Sequence, residues 1–222
     1  MVLLSLLNEP LFLIVWLFAI IVVLTVHEFS HALAATWQGD LTAKNAGRLT
    51  LNPLAHIDWL GFAMLLLAGF GWGNPVPFNP YNLKWQRFGP AVVAIAGPLS
   101  NVILAIIFIF AFRGLFPALH PLFLAGGSAP EGVNLLAVFL SLAIFLNFTL
   151  AIFNLIPVPP LDGSKILFSI LSDTRFWQIK EALERQGPMI LLGLIILDNL
   201  LNLDIFGRLF SLAIGIVYKL IY

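Results

Sequence analysis

The sequence predicts an all-α polytopic membrane protein, with about four to six membrane-embedded helices and a small membrane-associated β-hairpin. Of the 222 residues, 60% are hydrophobic and only 10% are charged, whereas soluble domains carry about 25% charged residues. Mean hydropathy is +1.00. Several apolar stretches approach the roughly 20 residues that a helix needs to cross a bilayer. We therefore expect residues 1–222 to form a single membrane-embedded domain.

Charge and cysteine content exclude several classes of function. The 11 basic and 11 acidic residues give a net charge of zero, and the basic residues form no stripe of the kind that nucleic-acid-binding proteins carry. We therefore expect a lipid bilayer, and no nucleic acid, among the partners. The chain has no cysteine, which excludes disulfides and thiolate metal sites. Nothing in the sequence predicts an oligomeric state.

The first predicted helix covers residues 10–37. Pro10 suits the first turn of a helix, and Gly39 followed by Asp40 marks its end. Residues 1–8 carry no Lys or Arg, and the apolar stretch is longer than the roughly 7–15 residues of a signal peptide. We therefore expect a retained membrane span.

A more polar part of the chain follows. In residues 42–56, turn-forming residues precede Arg48-Leu49-Thr50-Leu51, which alternates polar and apolar side chains, and this pattern predicts a short β-hairpin. Residues 59–70 are apolar but too short to cross a bilayer directly, so we expect a re-entrant or steeply tilted segment. The Gly- and Pro-rich residues 71–80 predict an ordered loop.

Two further spans are predicted at residues 89–112 and 133–156, with a polar loop at 113–132 between them. Pro157-Val158-Pro159-Pro160 ends the last span. A short helix is expected to start at Asp162 and to become amphipathic and charged through residue 187. The remaining apolar stretches, 188–201 and 205–221, fit either one interrupted span or a hairpin.

Basic residues predict the orientation in the membrane. Eight of the eleven basic residues lie in segments 38–58, 71–88 and 157–187, and the positive-inside rule assigns such segments to the cytoplasm. The loop at 113–132 is then outside. We expect a multi-pass protein of the cell membrane with its active site in the cytoplasmic half of the bilayer.

One cluster of ionisable residues interrupts the first apolar helix, as His27-Glu28-Phe29-Ser30-His31. Histidines four residues apart lie on the same face of a helix, so both imidazoles can reach one metal ion. Glu28 stands beside the first histidine. This is the HExxH pattern of zinc hydrolases, in which the glutamate is the general base. Ionisable residues inside a membrane span are costly and indicate function.

The third metal ligand is less certain from the residues alone. Catalytic zinc sites usually have three protein ligands, and the third must lie at the depth of the two histidines. Asp162 is the first candidate, because it directly follows a proline-broken helix at the cytoplasmic end of a span. His56 and Asp58 are the next candidates, since spacing along the chain does not fix coordination across a fold.

Several motifs of this chain resemble those of the site-2 protease family of intramembrane zinc metalloproteases. They occur in the family's order between residues 27 and 163, and they are His27-Glu-Phe-Ser-His31, Leu49-Thr-Leu-Asn-Pro-Leu-Ala-His56-Ile-Asp58, Gly73-Asn-Pro-Val-Pro-Phe-Asn-Pro80, Ala96-Gly-Pro-Leu-Ser-Asn101 and Asn154-Leu-Ile-Pro-Val-Pro-Pro-Leu-Asp162-Gly163. The chain is similar to the compact branch, which has no PDZ insertion. It departs from the family pattern Gly-Trp-Ala-Lys-Pro, which here reads Gly-Trp-Gly-Asn-Pro from Gly71 to Pro75, without the lysine.

The resemblance implies an enzyme that cuts peptide bonds in or near transmembrane segments of membrane proteins, as in regulated intramembrane proteolysis. It implies one Zn²⁺ held by His27, His31 and Asp162, with Glu28 as the base and Asn154 in contact with the substrate. A membrane zinc transporter or a zinc-binding regulator without hydrolytic activity is the alternative, but transporters commonly show internal repeats and none is visible here. A degenerate protease that acts as a scaffold is disfavoured because Glu28 and the ligands are intact.

The predicted hairpin adds a hypothesis about substrate binding. A helical substrate must unwind before its peptide bonds can be attacked, and an extended strand in a bilayer must pair its backbone groups. We expect the substrate to add as a strand to the edge at Thr50 and Leu51. Asn154 would hold it from the other side.

Overall fold

The computed structural model of the chain describes residues 9–68, 71–121, 132, 134–171, 176–205, 207, 208, 211, 214 and 215. Helices account for most of this part of the chain. Their bounds, in chain order, are α1 (Pro10–Trp37), α2 (Thr42–Asn45), α3 (Trp59–Ala68), α4 (Gly89–Leu115), α5 (Leu135–Asn154), α6 (Asp162–Ile170) and α7 (Trp177–Leu201). Short 3-10 turns occur at Pro53–Ala55 and Pro80–Asn82.

Three of these helices, α1, α4 and α5, are long and apolar enough to cross a membrane, and their mean hydropathies are 2.6, 2.5 and 2.5. They correspond to the three spans that the sequence predicts. Pro10 starts α1, where its missing N–H costs nothing, and Gly39 follows the helix with a φ of +98°, which an L side chain rarely adopts.

The three long helices pack against one another. The contact between α4 and α5 is built around Phe112 and Ile144, and that between α1 and α5 around Val23 and Val138. Many contact positions are alanines that are fully buried. Because small residues let helix backbones approach closely, these helices can form a tight bundle from which α1 and α4 present polar side chains to one another.

The predicted β-hairpin at residues 42–56 is wrong. These residues form the short helix α2, a bend and a 3-10 turn, and the described part of the chain has β pairing only as an isolated bridge between Ile57 and Gly73. Gly47 has a φ of +70° and its N–H bonds to the carbonyl of Lys44. The turn residues therefore end a helix instead of joining two strands, and the four-residue alternation after them finds no partner strand.

In two other segments, the observed helices differ in length or extent from those that the sequence predicts. The apolar stretch at 59–70 contains α3, whose ten residues span about 15 Å, about half of a bilayer core. The predicted helix that starts at Asp162 ends at Ile170, and α7 begins at Trp177 and continues through the apolar residues 188–201, with Pro188 inside it. Half of the predicted loop at 113–132, namely residues 122–131, and most of the stretch at 205–221 lie outside the described residues.

Candidate metal centre

Three buried side chains from two separate helices converge on one point. His27 and His31 lie on one face of α1, and Asp162 is the first residue of α6. The Oδ2 atom of Asp162 lies 3.3 Å from Nε2 of His27 and 3.1 Å from Nε2 of His31. The two Nε2 atoms are 3.1 Å apart. The structure therefore brings together the three residues that the resemblance implies as ligands.

The outer nitrogen of each imidazole contacts an oxygen. Nδ1 of His31 donates to the carbonyl of Val93 at 2.7 Å, and Nδ1 of His27 lies 2.6 Å from Oδ1 of Asn101. A nitrogen that donates to an oxygen carries the proton, so the other nitrogen of a neutral imidazole keeps its lone pair. Both Nε2 atoms therefore face the shared point as acceptors.

This donor set fits a zinc ion. Oδ2 of Asp162 is buried and has no hydrogen-bond partner among the described residues, so it faces the two Nε2 atoms as a third acceptor. Two imidazole nitrogens and one carboxylate oxygen are typical zinc ligands, and bonds of about 2.0–2.1 Å in tetrahedral geometry separate the ligand atoms by about 3.3 Å. The observed separations of 3.1–3.3 Å match this value.

The helix α4 passes directly over the two imidazoles at Gly97. A Cβ atom at this position would lie 2.6 Å from Cε1 of His27 and closer still to Nε2 of His31. Glycine is therefore required for space at this point. In the sequence, Gly97 stands within the Ala96–Asn101 motif of the resemblance, which did not indicate that the two imidazoles lie against this position.

Glu28 is buried, and its Oε2 atom has no hydrogen-bond partner in the described part of the chain. Glu28 interacts electrostatically with the buried side chain of Arg48. Burial lowers the pKa of Arg48 below its ordinary value, and the negative charge of Glu28 offsets part of this effect. Arg48 is held by a hydrogen bond from Nη2 to the carbonyl of Asn74, and its buried Nε finds no partner among the residues that the structure describes. Sequence reasoning used Arg48 only to orient the chain and missed its electrostatic interaction with Glu28.

The two alternative ligand candidates do not join the centre. Nε2 of His56 donates to the carbonyl of Thr50 at 2.8 Å, and Oδ1 of Asp58 accepts from the N–H of Gly61 at 2.8 Å. His56 therefore orders the bend before it, and Asp58 caps α3. Among the described residues, the only group of three or more potential ligand side chains is the one formed by His27, His31 and Asp162.

The expected substrate-binding residues lie outside this group of three. Asn154 is the last residue of α5, and its Nδ2 donates to the carbonyl of Leu150 at 3.0 Å. Thr50 is half-buried in the bend after α2, and Leu51 is 61% exposed.

An apolar cavity of about 320 Å³ lies between α1, α3, α5 and the loop at 71–73. Its wall on α1 includes Leu24, one helical turn before Glu28, and its wall on α5 includes Phe153, next to Asn154. The cavity therefore adjoins the end of α1 and of α5 where the polar site residues are found.

Comparisons with known proteins agree with the motifs. Residues 118–197, which include Asn154 and Asp162, match the model of Peptidase family M50. The chain is 43% identical over 155 residues to "Putative zinc metalloprotease YwhC" of Bacillus subtilis, a match that covers 67% of this chain and 65% of that protein. No solved structure matches the chain significantly.

More distant relatives carry similar names. The chain is 33% identical over 144 residues to "Putative zinc metalloprotease Rip2" of Mycolicibacterium smegmatis, covering 63% of this chain and 51% of that protein. It is 31% identical over 153 residues to "Putative zinc metalloprotease sll0528" of Synechocystis, covering 69% and 29%. The matched regions thus span between about a third and two thirds of the relatives' length.

Proposed function

We propose that the chain is a zinc-dependent intramembrane endopeptidase of peptidase family M50, the site-2 protease family, because residues 118–197 match the model of that family and YwhC is 43% identical over 155 residues. It hydrolyses peptide bonds in or near transmembrane segments of membrane proteins. The observation that carries this proposal is the convergence of His27, His31 and Asp162 on one point, with both histidines on α1, itself a candidate span with a mean hydropathy of 2.6. A zinc transporter or regulator is not favoured, because the relatives are named metalloproteases.

His27, His31 and Asp162 would hold one Zn²⁺. When bound, the ion supplies Lewis-acid polarisation of the scissile carbonyl and a lower pKa for water at neutral pH. The chain itself contributes the fixed directions of the ligand atoms, since Val93 and Asn101 occupy the outer nitrogens of the two imidazoles. Lys165 lies 3.4 Å from the second oxygen of Asp162 and holds the carboxylate in orientation.

Glu28 would act as the general base. Its carboxylate takes a proton from the attacking water and delivers it to the leaving amine, as positioned carboxylates do in proton transfer. A free Oε2 atom in a buried position supports this role, since the oxygen has no competing donor among the described residues.

The apolar cavity supports an apolar substrate. Its volume of about 320 Å³ can take large aliphatic or aromatic side chains, which are common in transmembrane segments. We propose that Asn154 contacts the substrate backbone near the cut site. We further propose that an extended substrate pairs with the backbone at Thr50 and Leu51, where exposure leaves the segment accessible.

Three spans, α1, α4 and α5, would make this a multi-pass protein of the cell membrane, with α3 re-entrant and α7 partly embedded. The active site would lie in the cytoplasmic half of the bilayer, because the basic segments flank it. Single cysteines can test this orientation in a chain without cysteine. An impermeant reagent added outside should label Ala118→Cys and not Lys44→Cys, and the reverse pattern would contradict the proposed orientation.

The decisive experiment is Glu28→Gln. Glutamine preserves the size of the side chain but accepts no proton, so cleavage of a model transmembrane substrate should fall by at least about 100-fold. Zinc content should stay normal because the three ligands remain. Glu184→Gln, at an exposed position on α7, is the matched control and should cleave normally. Retained cleavage by Glu28→Gln would contradict the mechanism, and substrates trapped by this variant would identify the natural target.

A further inference from the structure

We propose that Asn147 and Asn101 form a directed hydrogen-bond relay that holds His27 in its Nδ1–H tautomer. This proposal rests on the proposed zinc site, since its consequence is that Nε2 of His27 keeps the lone pair that a metal ligand needs. Asn101 lies on α4 and Asn147 on α5, and both side chains are fully buried. The helix α5 therefore acts on the metal centre although it supplies no ligand.

The direction of the relay follows from where it begins. Nδ2 of Asn147 lies 2.7 Å from the carbonyl of Ala143, and a carbonyl can only accept, so the amide group of Asn147 must donate there. Its Oδ1 then faces Asn101, whose Nδ2 donates to it at 2.8 Å. This orientation leaves Oδ1 of Asn101 facing Nδ1 of His27 at 2.6 Å.

A second contact supports the same orientation of Asn101. Its Nδ2 also lies 3.5 Å from the carbonyl of Val23, another group that only accepts. If the amide of Asn101 were reversed, its oxygen would face two acceptors and its NH₂ group would face His27. A donor at Nδ1 would favour the Nε2–H tautomer, in which Nε2 points a proton at the metal site.

Different groups therefore fix the tautomers of the two histidines. Nδ1 of His31 donates to the backbone carbonyl of Val93, which no substitution removes. Nδ1 of His27 depends on two side chains, so its tautomer can be changed by mutation. We infer that Asn101 and Asn147 are positioning residues for the proposed reaction.

Two substitutions of Asn101 distinguish the effect of its acceptor oxygen from the effect of its side-chain size. Asn101→Leu keeps the size but removes the oxygen, and zinc affinity measured by chelator competition should fall about 10–100-fold, as for other ligand-supporting contacts. Asn101→Asp keeps an oxygen toward His27, although its second oxygen faces Oδ1 of Asn147, and it should bind zinc more tightly than Asn101→Leu because carboxylate–histidine–zinc arrangements are common. Equal affinity of Asn101→Leu and the wild type would overturn the relay.

A spectroscopic readout tests the tautomer itself. In metal-free protein with ¹⁵N-labelled histidine, at a pH where the imidazoles are neutral, His27 should be protonated at Nδ1 in the wild type and in Asn101→Asp. Asn101→Leu should show Nε2–H as well. A purely structural role of Asn101 would leave the tautomer unchanged, and that result would contradict the proposal even if the affinity of the variant fell.

Asn147 is tested through its coupling to Asn101. Asn147→Leu frees the amide of Asn101 to reverse, and we expect a smaller loss of zinc affinity, about three- to tenfold. The double variant with Asn101→Leu should bind no more weakly than Asn101→Leu alone, because the relay is already broken. Additive losses would show two independent effects and would contradict a relay.

Ser141→Ala is the matched control, because Ser141 is also buried on α5 but lies outside the relay. It should leave affinity and tautomer unchanged. The proposed function and the relay can be tested separately. A folded wild-type protein that binds no zinc contradicts the proposed function, whereas the tautomer of His27 in the metal-free protein still tests the relay.

Discussion

The metal-site region and the loop region of this protein are ordered in different ways. We define the metal-site region by His27, His31, Gly97, Asn101 and Asp162, and the loop region as residues 38–58 and 71–82. In the metal-site region, helices provide the backbone and every outer contact of the imidazoles is buried. In the loop region, all of whose residues the structure describes, the only β-type backbone pairing is the isolated bridge between Ile57 and Gly73.

Side chains that bind backbone groups hold the loop region together. Asp40 is fully buried and accepts from Thr42, from the N–H of Asn79 at 2.6 Å and from Nδ2 of Asn82 at 3.2 Å. Arg48 donates to the carbonyl of Asn74. These contacts join residues up to 42 positions apart in the chain, so local patterns could not indicate them.

The difference between the two regions shows which sequence patterns are sufficient to predict local structure. An apolar helix in a membrane satisfies its backbone groups internally, so its position follows from its own sequence. A short polar segment depends on partners elsewhere, and a strand-like alternation of four residues does not supply them. The predictions below test whether the two regions can be disturbed separately.

The largest effect is expected from the three proposed ligands. Replacing His27, His31 or Asp162 by alanine should lower zinc affinity by more than about 100-fold, since loss of a supporting contact alone costs about 10–100-fold. Metal analysis of the purified protein measures this. Asp58→Ala is the control and should keep its zinc, because Asp58 caps α3. An empty site in Asp58→Ala with zinc retained in Asp162→Ala would reverse the ligand assignment.

A smaller but still large effect is expected at Gly97. Alanine there places a methyl group against both imidazoles, and the overpacking should separate α1 from α4 at a cost of about 1–3 kcal/mol. Zinc content should fall by about tenfold. Gly114→Ala, near the end of the same helix, is the matched control because its Cβ would meet open space. Normal zinc binding in Gly97→Ala would show that the two helices yield more easily than the structure indicates.

Thr50→Pro tests whether the loop region acts on the substrate without acting on the metal. Proline removes the N–H that would pair with an extended substrate, and the loss of such a bond predicts about tenfold slower cleavage. Zinc content should be unchanged. Thr50→Val, which keeps the N–H, should cleave normally.

The preference among substrates sharpens the same prediction. Transmembrane substrates with Gly or Pro near the cut site should be cleaved faster, since they unwind at lower cost. Full activity of folded Thr50→Pro, or equal cleavage of substrates whatever their helix stability, would rule out strand addition at this segment.

The smallest effect on the site is expected from Asp40→Asn, which should loosen the loop region alone. Burial raises the pKa of Asp40, but hydrogen bonds from Thr42, Asn79 and Asn82 outweigh it and hold the pKa below its ordinary value of 3.8. A lowered pKa in the folded state stabilises the protein above the unfolded pKa. This stabilisation is lost as the pH falls through the folded pKa.

The melting midpoint in detergent measures this effect. At neutral pH, Asp40→Asn should be less stable by about 1–3 kcal/mol, the cost of an imperfectly paired buried group, with normal zinc content. The gap between the wild type and the variant should narrow as the pH falls below about 4. A gap that is constant with pH would show that the charge of Asp40 is not what stabilises the loop.

The sequence by itself determined the helical part of this protein. Three apolar stretches predicted α1, α4 and α5, because a membrane span needs only length and hydropathy. The spacing of His27 and His31 placed both imidazoles on one face, because four residues are about one helical turn. The motifs between His27 and Gly163 resemble those of the site-2 protease family, and residues 118–197 match the model of Peptidase family M50.

Only the tertiary structure decided which distant groups meet. Residue chemistry alone left Asp162, His56 and Asp58 open as the third ligand, and the packing of α6 against the bundle brings Asp162 to the histidines. Tertiary packing also placed Gly97 over the imidazoles, linked Asn101 to Asn147, and turned the expected hairpin into a bend anchored by Asp40 and Arg48. The physical reason is the distance along the chain between the interacting groups. Helix formation depends on hydrogen bonds between residues four positions apart, so a local pattern can predict it. The contacts named here join distant segments, and their separation in the sequence does not indicate where they lie in space.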